Sequence, residues 1–343
     1  MRTLPYHHHH HLVLLHRQPR IIRNLSTHNP SRSRSIMPPL NLASQKAISR
    51  LRNYIPPPTS YDSVPVSRRA AVLVLLYADR RGELRVVLTM RAATLSSYAG
   101  QAALPGGKAD TLEETPFQTA RREAKEEIGL PDTNQKLPQP FTVEHLCEFP
   151  ANLARTELVV RPCVALLHSF DEKTGENADP EVSLIPRLDA REVAAVFTAP
   201  FRNFLRSRDE EDWGGDPADW YKGAWTEWHQ SDWRMHQSFV PVRPKEVVKP
   251  KEWNKEQKQA ISQLEEQEKA DQVARYRVFG MTARMLVDVA RVAYAEEPEF
   301  EHNSHFGDEA IIAQLRKMGR LSHIRRKGDQ LTREDMRMAA KLS

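Results

Sequence analysis

The stretch Gly106–Leu130, GGKADTLEETPFQTARREAKEEIGL, decides how the rest of the chain is read. It carries five glutamates and one aspartate, opens on a glycine pair and has another glycine next to its end. Thr115 fits a helix N-cap, Pro116 the first helical position and Gln118 the third, where Gln completes a capping box with Thr. Gly129 fits the residue just past the C-terminus, where a left-handed backbone is common. The spacing predicts a helix of about 13 residues. On it Glu123, Glu126 and Glu127 fall at i, i+3 and i+4 and share one face, where like charges repel. Helix stability alone does not bring them together. A divalent cation reverses the sign, because Mg²⁺ or Mn²⁺ takes hard oxygen ligands, often shared with substrate phosphates. Arg122 is placed to orient one glutamate by a charge-assisted hydrogen bond. Pro105-Gly106-Gly107-Lys108 gives a tight turn where backbone can approach a metal or a phosphate. The alternative is a solvated acidic face with Arg121 and Lys125 as neighbours.

Upstream, AAVLVLLYA (Ala70–Ala78) is a continuous apolar run of the kind that forms a buried strand. RRGE turns the chain, and LRVVLTMR (Leu84–Arg91) completes a hairpin. Downstream, FTVEHLCEFP and TELVVRPCVALL read as strands, and EVAAVFTAPFRNFLR as a strand running into a helix. The class is α/β, with helices packed on a mixed sheet. Residues 206–272 interrupt the pattern. Their first part is acidic and holds five tryptophans, and their second part, up to Gln272, is charged with high helix propensity. VFGMTARMLVDVARVAY returns to the core as a helix. IIAQLRKMGRLSHIRRK reads as one basic amphipathic helix in a C-terminal extension, residues 301–343. The division is a basic leader over 1–60, ending in a Pro-rich linker that runs on to residue 68, a main domain over 61–300 with its insertion, and the extension.

The net charge of +5 is uneven. Residues 1–60 hold nine basic residues and no acidic one, so removing those nine from +5 leaves −4 for the remainder. The high pI therefore belongs to the leader, and no stable nucleic-acid partner is expected. A leader rich in Arg and Ser and free of acids has the composition of a mitochondrial transit peptide. Arg23-Asn24-Leu25-Ser26 resembles a matrix-protease cleavage site, and a disordered tail without an address is the alternative. Met37 can serve as a second start, giving a form without the leader and a peroxisomal or cytosolic location. His7–His11 has nothing around it to fix a metal geometry. Two cysteines, Cys147 and Cys163, do not make a disulfide framework, and no apolar run approaches the roughly 18 residues of a membrane span.

The glutamate-bearing stretch resembles the Nudix box, Gly-x5-Glu-x7-Arg-Glu-U-x-Glu-Glu-x-Gly-U, with U aliphatic. Glu114 is followed by seven residues and then by Arg122-Glu123-Ala124-Lys125-Glu126-Glu127-Ile128-Gly129-Leu130. The gap from Gly107 to Glu114 is six residues rather than five, an addition in the loop that leaves the helix register intact. The resemblance implies a Nudix-type α/β/α sandwich and a hydrolase that cleaves a nucleoside diphosphate linked to another moiety. It implies Mg²⁺ or Mn²⁺ on Glu123 and Glu127 with the Gly107 carbonyl. Glu126 is implied as a further ligand or as the group that orients the attacking water, so Glu123, Glu126 and Arg122 form the catalytic set.

LTMRAATLSSYAGQAALPGG resembles the coenzyme A diphosphatase branch through Leu88, Thr89, Arg91, Ala92, Gly100, Gln101, Pro105, Gly106 and Gly107. Ser96 stands where that branch has Arg, and Leu104 where it has Phe. GGKAD and RREAKEEIGL are similar to the branch's fungal peroxisomal members. A coenzyme A-like nucleotide is the implied substrate, with Arg91, Gly100, Gln101, Gly106 and Lys108 as its binding residues. The insertion's tryptophans either form a lid over the substrate or staple the insertion to the domain. Two rivals remain: the same chemistry on ADP-ribose, NADH, an oxidised nucleotide or an RNA cap, and a non-catalytic Nudix-like interaction module. Such modules typically lose the box glutamates, which are present here.

Overall fold

The computed structural model describes residues 40–92, 101–178, 193–210, 220–228, 231–242, 247–248, 274–323 and 330–342. His7–His11, Met37, Ser96, Gly100 and the charged second half of the insertion lie outside the described residues. The first element is α1 (Leu42–Arg52), capped by Asn41, whose side chain accepts the Ser44 N–H at 2.8 Å. Ala47, Ile48 and Leu51 of α1 are buried in the core. The assignment of residues 1–60 to a disordered leader is corrected over this span, because an Ala-Ile-Leu stripe has a core to pack on. The Pro-rich stretch that follows is anchored by buried Tyr61 and Val64.

β1 (Arg69–Ala78) and β2 (Leu84–Arg91) form the expected hairpin, with Leu76 opposite Val86. Then come β3 (Ala102–Ala103), β4 (Gly106–Lys108), α2 (Pro116–Ile128), β5 (Thr142–Glu148), β6 (Asn152–Leu153) and β7 (Val159–His168). A short hairpin of β8 (Phe170–Asp171) and β9 (Glu176–Asn177) precedes β10 (Val193–Pro200). The main sheet runs β10-β2-β1-β7-β5, with β3 beside β2, β4 beside β1 and β6 beside β7. β1 and β7 are parallel and the other pairs antiparallel, so the sheet is mixed.

The continuous apolar run of β1 serves two cores. Ala71, Leu73, Leu75 and Tyr77 face α2, which supplies Ala120, Ala124 and Ile128. Ala70, Val74 and Leu76 face the opposite layer, which contains α1 and α3 (Gly280–Tyr294). A strand covered on both faces has no polar side to alternate with, which is why its sequence is apolar throughout.

After β10 the expected helix is a single 3₁₀ turn, Phe201–Leu205. Past Trp220, the described residues of the insertion's tryptophan-rich part are β structure. β11 (Tyr221–Trp228), β12 (Ser231–Val242) and β13 (Ala274–Phe279) make a three-stranded antiparallel sheet. Val240, Val242, Tyr276 and Val278 of this sheet enter the same core as α3. Trp220, at 0% exposure, donates its indole N–H to the Asn203 carbonyl at 2.8 Å. Among the described tryptophans this one is a staple. The extension holds α4 (Glu309–Lys317) and α5 (Arg333–Leu342). The single basic helix expected from Ile311 onward is corrected: α4 ends at Lys317, and Gly319 turns the chain at φ +75°. Ile312, Leu315, Met336 and Ala339 pack on Tyr61, Val64, Leu153 and Val159. Among the described residues no helix is long and apolar enough to cross a membrane.

Candidate active site

α2 has the ends its sequence predicts. The Thr115 hydroxyl accepts the Gln118 N–H at 3.2 Å and the Gln118 side chain accepts the Thr115 N–H at 2.9 Å. Gly129 closes the helix in the left-handed region at φ +72°. The small apolar face that seats α2 on β1 fixes its rotation, and that rotation separates the three glutamates. Glu127 is 3% exposed, while the Glu123 and Glu126 side chains are 15% and 56% exposed.

β4 receives the two inner carboxylates. Its pairing with β1 sets Gly107 opposite Ala71 and Gly106 opposite Val72. The Gly106 N–H donates to Glu127 Oε2 at 3.1 Å. A Cβ on Gly107 would lie 2.5 and 2.6 Å from the two Glu123 carboxylate oxygens, so the carboxylate rests directly on bare backbone. Gly106, at φ +153°, is crowded from the other side: a Cβ there would meet the Ala71 carbonyl and come within 2.6 Å of Val72 Cα. Both glycines are therefore required, for different reasons.

Arg122 is the electrostatic hub. It donates to Glu114 at 2.8 Å, to Glu123 at 3.0 Å and to the Lys108 carbonyl at 2.7 Å, and it lies 3.5 Å from Glu126. Bonding to Glu114 first, and then to Glu123, raises the Arg122 pKa further. Burial alone would raise Glu114, but bonds from Arg122, from the Asp110 N–H and from the Thr119 hydroxyl together hold it below the ordinary value. Part of the like-charge repulsion along α2 is thus offset by an internal cation. The two cations expected beside the acidic face are engaged elsewhere. Arg121 is buried and bonds the Pro131 carbonyl, and Lys125 pairs with Asp132 at 2.9 Å. Only Glu126 of the three helical glutamates is solvated, so the solvated-face alternative does not describe α2.

Of the binding residues expected upstream, Arg91, Gln101 and Gly106 come together. The Arg91 N–H donates to the Gln101 carbonyl at 3.0 Å, and Arg91 Nη1 lies 3.9 Å from Glu127 Oε1. Arg91 Nε is buried without a hydrogen-bond partner among the described residues. Lys108 is exposed and contributes its carbonyl rather than its cation. Asp110, 3.3 Å from Arg122, and Thr119 join the network without a sequence signal, because a loop aspartate and a helical threonine carry no periodicity.

Among the described residues no three His, Cys, Asp or Glu side chains converge as a ready cage for a metal ion. The donor set still fits Mg²⁺ or Mn²⁺. These ions are commonly held by one or two carboxylates, with waters and substrate phosphates completing the shell. Glu123 and Glu127 are hard oxygen donors directed at β4, and the cradle at Gly107 is one that a Cβ would fill.

The comparisons agree with this geometry. A family model described as NUDIX domain matches residues 67–201. The peroxisomal coenzyme A diphosphatase 1 of Saccharomyces cerevisiae is 31% identical over 303 residues, covering 81% of this chain and 85% of that protein. Nudix hydrolases 22 (chloroplastic) and 15 (mitochondrial) of Arabidopsis thaliana are 37% and 36% identical over 153 residues. Each plant match covers 43% of this chain and less than half of the relative, at 44% and 47%. A capped box helix seated on a mixed sheet, an intact glutamate register and these matches together make the chain a member of the Nudix hydrolase family.

Proposed function

We propose that this protein is a divalent-cation-dependent diphosphatase that cleaves coenzyme A or its acyl derivatives to adenosine 3′,5′-bisphosphate and 4′-phosphopantetheine or its acyl form. The observation that carries the substrate is the reach of the likeness to the yeast coenzyme A diphosphatase, 81% of the chain and well beyond the NUDIX match at 67–201. Water attacks one phosphorus of the anhydride, the bridging P–O bond breaks, and two phosphomonoesters leave. Glu123 and Glu127, with the Gly107 carbonyl, would hold Mg²⁺ or Mn²⁺, which neutralises charge on the diphosphate oxygens. Arg122 keeps Glu123 against β4. Glu126, the solvated glutamate, stands where it can join the ligand set or orient the attacking water. Arg91, whose Nε has no hydrogen-bond partner among the described residues, is the cation best placed for a substrate phosphate. Lys108, exposed at the end of β4, is a second one.

The test incubates the full chain with coenzyme A, ADP-ribose or NADH, with and without Mg²⁺ or Mn²⁺, and separates the products by chromatography. Release of adenosine 3′,5′-bisphosphate that needs the metal and is lost in Glu127→Gln is expected. Hydrolysis of another substrate instead removes coenzyme A and keeps the family chemistry. The leader's composition supports a mitochondrial address. A fluorescent protein carrying residues 1–60 should reach mitochondria, and a diffuse or peroxisomal signal refutes that placement.

A further inference from the structure

The three-stranded sheet of the insertion has one face in the core and one turned away from it. Arg234, His236, Ser238, Val240 and Val242 alternate inward along β12 and are buried. The register then assigns the other face: Lys222 pairs with Gln237, Gln237 with Phe279, and Phe239 with Arg277. That face carries Lys222, Arg275 and Arg277 and, among the described residues of the three strands, no Asp or Glu. It also carries Phe239 and Phe279. The Lys222 ammonium lies 5.2 Å from the Phe239 ring centroid, and the Arg277 guanidinium 4.3 Å from that of Phe279. Among the described residues none of the three cations forms an ion pair, and Arg275 Nη1 is buried with no hydrogen-bond partner. By contrast, Arg234 on the inward face pairs with Glu301 at 2.9 Å.

The strand that carries Arg275 and Arg277 runs beside the segment leading into the candidate active site. β13 approaches β3 to within 8 Å between Cα atoms, and β3 pairs with β2 at Met90 and Thr89. β3 follows Gln101, which bonds Arg91, and leads through Leu104 and Pro105 into Gly106. The acidic side of the site serves a metal and the diphosphate. A nucleotide with a further phosphate brings a dianion that this side repels. Cations that lack a carboxylate partner among the described residues, beside half-buried rings, are suited to a phosphate and an adjoining base.

We infer that Arg275 and Arg277, with Lys222, Phe239 and Phe279, form a subsite for the ribose 3′-phosphate and base of the substrate. This inference rests on the coenzyme A reading. It makes the insertion a specificity element for nucleotides that carry a phosphate outside the diphosphate.

The test compares coenzyme A with dephospho-coenzyme A, which has the same diphosphate and lacks the 3′-phosphate. In the wild-type full chain the KM for dephospho-coenzyme A should exceed that for coenzyme A about tenfold, equivalent to about 1.4 kcal/mol of charge-assisted hydrogen bonding. In Arg275→Gln/Arg277→Gln that ratio should fall to about one, since the discriminating cations are gone. Arg275→Lys/Arg277→Lys should restore part of the ratio, and Lys222→Gln gives an independent variant if the double replacement fails to fold. A wild-type ratio near one, or a ratio the variants do not move, overturns the subsite. So does capture of single-stranded RNA that the double variant loses while the ratio stays. If the wild type cleaves neither compound, the coenzyme A reading falls. Calorimetry with adenosine 3′,5′-bisphosphate and AMP then decides the subsite: tighter binding of the bisphosphate, lost in the double variant, supports it, and equal binding refutes it.

Discussion

Replacing Gly107 by Ala should separate function from folding. The new Cβ would sit 2.5 Å from a Glu123 carboxylate oxygen, and ordinary contact begins at 3.4 Å, so the carboxylate must retreat by about 1 Å. The obstruction is the far end of a flexible side chain. The folded state should therefore lose less than about 1 kcal/mol. A 1 Å misplacement in a reacting constellation costs about 100-fold in rate. Gly106→Ala places its Cβ against the Ala71 carbonyl and Val72 Cα, backbone that cannot yield, and at φ +153°. Strain and overpacking together should cost about 2–5 kcal/mol of stability there. The assay is urea unfolding beside hydrolysis of coenzyme A at graded Mn²⁺ concentrations. Gly107→Ala should keep the wild-type midpoint, lose kcat and need more metal for half-maximal rate. Gly106→Ala should shift the midpoint. Wild-type kcat and metal dependence in Gly107→Ala would show that Glu123 does not rest on β4 in the working enzyme.

Three further outcomes follow from the same geometry. Glu114→Gln releases Arg122 and, acting through it, should lower kcat about 10–100-fold. Because Glu114 titrates below its ordinary value when folded, its contribution to stability is present at neutral pH and disappears as pH falls through the folded value. The gap in melting temperature between wild type and variant should narrow in acid, and a constant gap contradicts the assignment. Burial pushes Asp288 on α3 up to about 7 against the pull of Arg284 and Arg291. Its native form holds the proton longer than the unfolded chain, so stability from this group falls as pH rises from about 4 toward 7. Asp288→Asn should remove that slope, and melting curves at intervals across this range check it. Trp220→Ala should cost about 3–5 kcal/mol by emptying a fully buried site. Trp220→Phe should cost less, since the indole hydrogen bond is lost but the Asn203 carbonyl keeps the Arg206 N–H at 2.9 Å, as chemical denaturation would measure.

The box helix was legible because its signals are local. A cap, a proline, a capping box and a terminal glycine all lie within the 15 residues Thr115–Gly129 and need no tertiary contact to act. The β1–β2 hairpin was legible for the same reason. What the glutamates rest on was not. The contact of Glu123 with Gly107 depends on β4 pairing with β1, a contact between segments whose sequences say nothing of each other. The insertion misled for a related reason: tryptophans among acidic residues look irregular until Tyr221 pairs across to Ser238 and one face is buried. α1 was missed because Arg50 and Arg52 read as leader charge, although Arg52 binds Glu144 on β5 through two hydrogen bonds of 2.7 and 2.9 Å.

Glu309, at the start of α4, receives the Thr59 hydroxyl and the Ser60 N–H at 2.7 Å each, the Ala151 N–H at 2.8 Å and Arg161 at 3.2 Å. Arg50 of α1 likewise donates to the Ala293 carbonyl at 3.1 Å. α1 and the stretch after it thus find these partners only some 240 residues later in the chain. During synthesis those residues leave the ribosome late. Until they appear, α1 can dock only in part, through contacts such as that of Arg52 with Glu144. The two ends of the domain are therefore sealed to each other late in synthesis, and the four bonds gathered by Glu309 make that seal.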